Sequence, residues 1–213
     1  MKTDDLIALM SVDARGSASP MFVVGRLVPA ALISAFAALA LLVAWLGMRD
    51  MTEAVVSPSY WMKTAYTVAL AIAGLLITER LSRPAASAMR GIVALVSVTA
   101  VMLAVATTQL LSMPAEYMPR ALLGSTWDRC PWRIVALAIP GLALTLSTMR
   151  RLAPTRPGLA GAGAGLFVGA IAATIYGLYC AETSAAFTLI WYTTGIAVSA
   201  ALGALAGAHV LRW

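Results

Sequence analysis

Long runs of apolar residues alternate with short polar segments along the chain. Six runs are long enough to cross a bilayer core roughly 30 Å thick, which takes about 20 residues of helix. They cover residues 27–48, 60–78, 91–111, 132–149, 158–179 and 187–211. The pattern predicts an all-α integral membrane protein, in which residues 26–213 form a six-transmembrane-helix bundle and residues 1–25 form a separate N-terminal segment.

Composition agrees with a lipid environment. Hydrophobic residues make up 61% of the 213 residues and charged residues only 11%, whereas a soluble domain carries about 25% charged residues. So few charges could not cover a water-exposed surface. The composition therefore excludes a secreted enzyme, a soluble nucleic-acid-binding domain and a disordered tail.

The net charge of +6 indicates how the chain is oriented. Ten of the 15 lysines and arginines fall in segments on the side of the two termini, and the acidic residues on the other side cancel its basic ones. Cytoplasmic segments close to membrane spans are enriched in Lys and Arg, so both termini are predicted to be cytoplasmic. The basic excess thus reports orientation, and no direct nucleic-acid contact is expected.

Ionisable residues are absent from the middle of every predicted span. Lys63, Glu79 and His209 lie near span ends, where long side chains can reach the interface by snorkelling. A proton relay or a haem site needs ionisable groups at membrane depth. Their absence weakens a transporter or redox-pump hypothesis.

Small residues recur every fourth position in spans five and six. Gly161, Gly165 and Gly169 form one such row, and Gly203 and Gly207 belong to the other. This spacing places each row on one helix face, where two backbones can approach closely. We predict that spans five and six pack as a tight antiparallel hairpin; a glycine-lined ligand groove is the alternative.

Two cysteines, Cys130 and Cys180, both fall on the outer side of the predicted topology. In an oxidising compartment they could form a disulfide that joins two loops. Alternatively they could form a sensor that an oxidant closes or a soft metal ion bridges. Arg129 and Arg133 flank Cys130, which would favour a reactive thiolate.

A lasting metal site at the two cysteines has weak support. Two sulfurs alone are too few for structural zinc, and only Glu182 and Asp128 could add oxygen ligands. We therefore expect no resident cofactor, and at most a transient soft metal ion held by Cys130 and Cys180.

The N-terminal segment contains a short amphipathic stretch. Thr3 can cap a helix whose first turn carries Asp4 and Asp5, and Leu6 and Leu9 belong to the apolar patch that follows. A helix this short needs a surface to lie on. That surface is either the bilayer or a partner protein, and the two carboxylates favour the partner because an anionic leaflet would repel them.

Several short motifs together resemble one family along the full length of the chain. They are residues 1–9, Tyr60-Trp61-Met62-Lys63, Cys130-Pro131-Trp132-Arg133, Ala153-Pro154-Thr155-Arg156-Pro157, Ile190-Trp191-Tyr192-Thr193, the segment around Cys180 and Leu211-Arg212-Trp213. In their order and spacing they are similar to the NrsF-like negative regulators of sigma F.

The resemblance implies a multi-pass anti-sigma factor of the bacterial inner membrane. It implies that the cytoplasmic segment with Asp4 and Asp5 binds an extracytoplasmic-function sigma factor. It also implies that Cys130 and Cys180 are periplasmic thiols that sense metal or oxidative stress and thereby regulate transcription. A small membrane carrier, or an accessory subunit of a membrane oxidoreductase, is the alternative function.

Overall fold

The computed structural model describes residues 20–83, 87–152 and 154–212. Every regular element among them is helical. The long helices are α1 (Pro20–Trp45), α3 (Pro58–Leu81), α4 (Met89–Leu111), α6 (Cys130–Arg150), α7 (Pro157–Tyr176) and α9 (Thr193–Val210). Short helices α2 (Met51–Val56), α5 (Met118–Leu123) and α8 (Ala185–Phe187) lie between them, and a π-helical turn at Thr188–Tyr192 joins α8 to α9.

The six predicted spans are confirmed as helices that are long and apolar enough to cross a membrane. The sixth span consists of α8, the π-helical turn and α9, which together cover Ala185–Val210, and most ends of the six spans lie within three residues of the predicted positions. The main exception is α1, which begins at Pro20, seven residues earlier than predicted. It ends at Trp45, where Gly47 adopts a φ of +77° and its N–H bonds to the carbonyl of Leu42, a helix stop that favours glycine.

Helix α7 lies at the centre of the bundle. It packs against α9, α3, α6 and α1, and 61% of its apolar stretch is buried, compared with 17% for α4 at the periphery. Cys130 and Cys180 lie at one end of the bundle, here called the cysteine end. The opposite end, called the terminal end, holds the start of α1 and the end of α9.

Glycines mark the places where the helices approach one another most closely. A Cβ on Gly74 of α3 would lie 2.8 Å from the Cα of Phe167 in α7, and one on Gly141 of α6 would lie 2.7 Å from the Cβ of Ser34 in α1. Lipid-embedded helices depend on such close van der Waals contact, since burying apolar side chains against each other gains little over lipid.

The hairpin of α7 and α9 has the tightest packing. A Cβ on Gly161 or Gly165 would collide with the backbone carbonyl of Gly203 or of Ser199, and one on Gly207 would lie 2.7 Å from the Cα of Gly161. Gly169 faces the Ser199 side chain at 2.8 Å. The two glycine rows therefore face each other in antiparallel register, so these residues serve helix packing and leave no room there for a ligand groove.

Candidate functional site

Cys130 and Cys180 lie together in one buried cluster at the cysteine end. Cys130 is the first residue of α6 and is 0% exposed, and Cys180, just beyond α7, is 2% exposed. Both are free thiols. The sequence places the two cysteines at loop ends on the outer side of the predicted topology, and the structure shows that both side chains are buried inside the protein.

Two buried tyrosines accompany the thiols. Tyr176 ends α7 and Tyr192 ends the π-helical turn, and their ring centroids are 5.7 Å apart. Both rings are completely buried. Neither hydroxyl makes a hydrogen bond of standard geometry within the described residues, which is uncommon for buried polar groups. The thiols therefore lie in a compact setting of aromatic rings and backbone.

The arginines beside Cys130 contact other groups. Arg129 Nε pairs with Asp128 Oδ2 at 3.4 Å, and the Arg133 guanidinium lies over the ring of Tyr179, 5.1 Å from its centroid. The expectation that these two cations activate the Cys130 thiol is therefore wrong, because their guanidinium groups contact Asp128 and Tyr179 and the Cys130 side chain is buried.

Lys63 of α3 forms the main polar contact of the thiol region. Its Nζ donates to the backbone carbonyl oxygens of Cys180, at 2.9 Å, and Glu182, at 2.6 Å. The ammonium also lies 5.9 Å from the centroid of the Tyr192 ring. Lys63 is only 2% exposed, so the prediction that it snorkels to the interface is wrong.

The segment that follows Cys180 is fastened at two further points. The Glu182 carboxylate accepts from the Ser125 backbone N–H and hydroxyl at 2.7 and 2.6 Å. Gln109 of α4 accepts from the Ala185 N–H at 2.8 Å. Residues 180–185 therefore connect α3, α4 and the segment before α6 in one network, which we call the outer clasp.

Gly124 allows the outer clasp to close. Its φ is +57°, and a Cβ there would lie 2.6 Å from the Phe187 ring and 2.9 Å from the Glu182 carboxyl carbon. Any other residue would be strained at this φ and would also push the Glu182 side chain away.

A metal site of three or more ligands is absent from the part of the chain that the structure describes. Glu182 is bound to Ser125 and Asp128 to Arg129, so the two carboxylates considered as extra ligands have other partners. The ligands that this region could offer a metal ion are therefore the two cysteine sulfurs.

At the terminal end, Glu79 is buried in an ion-pair cluster instead of reaching the interface. Its carboxylate pairs with Arg80 Nε at 3.2 Å and with Arg83 Nη2 at 2.5 Å. Glu79 is 6% exposed. The lone histidine, His209, is exposed and bonds to the Leu205 carbonyl of its own helix.

The predicted partner-binding residues, Asp4, Asp5, Leu6 and Leu9, lie outside the described residues. Lys63 was noted in the sequence only as a residue near a span end, and its contacts in the thiol region were not predicted. The sequence did offer one signal for a buried contact: this lysine lies one turn inside a span and has no acidic residue on the same helix face. Its acceptors, however, are more than 110 positions away in the chain.

Comparison with known proteins gives consistent results. The family model for NrsF, described as negative regulator of sigma F, matches residues 13–213. The anti-sigma-F factor NrsF of Caulobacter vibrioides is 40% identical over 215 residues, and the alignment covers 100% of both chains. The probable anti-sigma-F factor NrsF of Azospira oryzae is 39% identical over 216 residues, again with 100% coverage of both.

No solved structure gives a significant match. The family match extends over nearly the whole chain, and both relatives align with it from end to end at about 40% identity. The chain therefore belongs to the NrsF family of negative regulators of sigma F.

Proposed function

We propose that the chain is a non-enzymatic anti-sigma factor of the bacterial inner membrane, crossing it six times with both termini in the cytoplasm. It holds an extracytoplasmic-function sigma factor through residues 1–25. The observation that carries this proposal is the full-length similarity to anti-sigma-F factors. A carrier or an oxidoreductase subunit has no comparable support.

The described residues support the orientation through their charges. Arg80, Arg83, Arg150 and Arg151 lie at the terminal end, where α3 and α6 finish. Basic residues next to spans favour the cytoplasmic side. The cysteine end then faces the periplasm, where thiols meet oxidants and metal ions.

The N-terminal segment is the proposed sigma-binding element. Asp4 and Asp5 would meet basic residues of the sigma factor, and Leu6 and Leu9 would fill an apolar groove. The double substitution Asp4→Ala with Asp5→Ala tests this in the full-length protein. Asp13→Ala is the matched control, since it removes a carboxylate from the same segment outside the apolar stretch.

The assay is co-purification of a candidate extracytoplasmic-function sigma factor of the same bacterium, together with a reporter that depends on that sigma factor. We expect the double variant to lose the sigma factor and to raise reporter activity without stimulus, while Asp13→Ala behaves as wild type. Unchanged co-purification, with equal amounts of protein in the membrane, would show that these aspartates do not bind the partner.

The thiol pair is the proposed sensor. A peroxide would take two electrons and both thiol protons, forming a disulfide between the Cys130 and Cys180 sulfurs and leaving as water. A soft divalent metal ion would instead bind both thiolates and release two protons. Either event changes the contact between α6 and the segment after α7.

Cys130→Ser and Cys180→Ser strains test the sensor. We expect reporter induction by peroxide and by a soft metal ion to be lost in both, while sigma binding without stimulus is retained. Loss with only one stimulus identifies which chemistry acts. Induction equal to wild type in both strains would contradict the sensing function and leave the repression function standing.

A further inference from the structure

The contacts of Lys63 suggest a role that goes beyond packing. A buried ammonium is costly unless its hydrogen-bonding groups are satisfied. Here the compensation comes from two backbone carbonyls and an aromatic face, and no carboxylate pairs with Lys63 among the described residues. The nearby Glu182 directs its carboxylate to Ser125 instead.

The two acceptors lie in the segment that carries one thiol. Cys180 N–H still bonds to the Tyr176 carbonyl at 3.0 Å, so the Cys180 carbonyl stands at the C-terminal end of α7. This end carries partial negative charge, and a cation placed there is favourable. Lys63 therefore joins α3 to the last turn of α7 and to the chain immediately beyond it.

Of the three side chains that hold the outer clasp, namely Lys63, Gln109 and Glu182, Lys63 is the one that bonds to the backbone of Cys180. The Glu182 side chain and Gln109 hold the more distant part of the segment, against Ser125 and Ala185. If the ammonium were removed, the segment would keep the bonds of Glu182 and Ala185 and the bond from the Cys180 N–H to Tyr176, but the carbonyls of Cys180 and Glu182 would lose their bonds to Lys63. The backbone over the thiol would then open more often, because local opening follows the loss of buried hydrogen bonds.

We propose that Lys63 is a positioning residue that holds residues 180–182 closed over the thiol pair and so limits how fast oxidants or soft metal ions reach Cys180 and Cys130. The biological meaning of this role rests on the proposed sensing function. The physical part, control of thiol access, stands without it. Lys63 touches neither reactant and acts through the backbone of Cys180.

Thiol labelling in the full-length protein in membranes tests the proposal. Lys63→Met keeps the length of the side chain and removes the charge and the donors. Gln109→Leu is the matched control, because it removes the fastening at Ala185 and leaves Cys180 held. Each change is made in a Cys130→Ser background, and the rate of maleimide labelling of Cys180 is measured.

We expect slow labelling in the Cys130→Ser parent and a rate at least about tenfold higher with Lys63→Met, the factor that corresponds to losing one hydrogen bond to a charged group. Gln109→Leu should change the rate less than Lys63→Met does. Labelling after denaturation in detergent gives the total thiol and corrects for unequal amounts. If Lys63→Met does not accumulate, Lys63→Gln, which is neutral but polar, is measured in its place with the same expectation.

A folded Lys63 variant labelled at the parent rate would overturn the proposal, as would a Cys180 that labels rapidly while Lys63 is intact. The sigma-dependent reporter, in strains with both cysteines, separates the two hypotheses. Faster labelling in Lys63→Met, with a reporter that neither peroxide nor metal induces, would support the control of thiol access by Lys63 and contradict the sensing function. Unchanged labelling in Lys63→Met, with a reporter that peroxide and metal still induce, would contradict control by Lys63 and support sensing.

Discussion

Replacing Gly165 with alanine tests the contact through which α7 and α9 pair. The new Cβ would collide with the Ser199 carbonyl oxygen and lie 2.8 Å from the Cα of Ala200, well inside the 3.5–4.0 Å separation that carbon atoms prefer. Both neighbours are backbone atoms of a helix, so neither can move aside by changing a rotamer. The two helices must separate along their whole contact.

The expected magnitude follows from two opposing terms. Overpacking a tight contact costs about 3 kcal/mol when the neighbours are rigid, and alanine gains about 1 kcal/mol over glycine in helix propensity. The net loss is about 2 kcal/mol, or a fall in melting temperature of about 4–8 °C for a chain of this size. Thermal unfolding of the detergent-solubilised protein, followed by tryptophan fluorescence, measures it.

Gly158→Ala is the matched control on the same helix. A Cβ at Gly158 would have its nearest neighbour, the Ala204 carbonyl oxygen, at 3.8 Å, which is ordinary contact. Only the propensity term remains, so this variant should melt at or slightly above the wild-type temperature. A Gly165→Ala protein that melts as high as Gly158→Ala would refute the packing argument.

Three further predictions follow from local contacts. Glu79→Gln removes the carboxylate that neutralises Arg83 and should lower stability by about 2 kcal/mol; equal melting temperatures for this variant and wild type would contradict the ion-pair assignment. The Thr52 hydroxyl, and to a smaller extent the Thr52 N–H, donate hydrogen bonds to the Asp50 carboxylate and lower its pKa. The stabilisation from this cap on α2 is therefore fully present at pH values above the ordinary aspartate pKa, and it is lost as the pH falls through the lowered pKa of Asp50. NMR titration of the Asp50 carboxyl should give a higher midpoint in Thr52→Ala, and an unchanged midpoint would argue against these bonds. Trp191→Phe removes the indole bond to the Leu122 carbonyl, 2.8 Å long, and should cost about 1 kcal/mol, measured by thermal unfolding; no loss would show that this bond is not important for stability.

The sequence was sufficient to predict the six long helices and the glycine hairpin. Both depend on composition and spacing within a single segment: a run of about 20 apolar residues predicts a span, and a small residue every fourth position predicts a close helix contact. The short helices α2 and α5 were not predicted, because each has only six residues and lacks an apolar run of its own.

The surroundings of the thiols could not be predicted in the same way. Burial of Cys130 and Cys180 depends on how the connection after α7 folds, and that fold depends on Lys63, Gln109 and Ser125 in three other segments. Each of these partners is more than 50 positions away along the chain. Without helix order and register, local pattern cannot pair them.

The π-helical turn at Thr188–Tyr192 determines the rotational phase of the sixth span. Such a turn contains one residue more than an α-helix would need, and each residue of an α-helix advances the chain by about 100°. Removing one residue here would rotate α9 by that angle and turn Gly203 and Gly207 away from α7, while Phe187 kept its place beside Gly124. The turn therefore lets one helix satisfy two sets of contacts that a regular α-helix of this sequence could not align together.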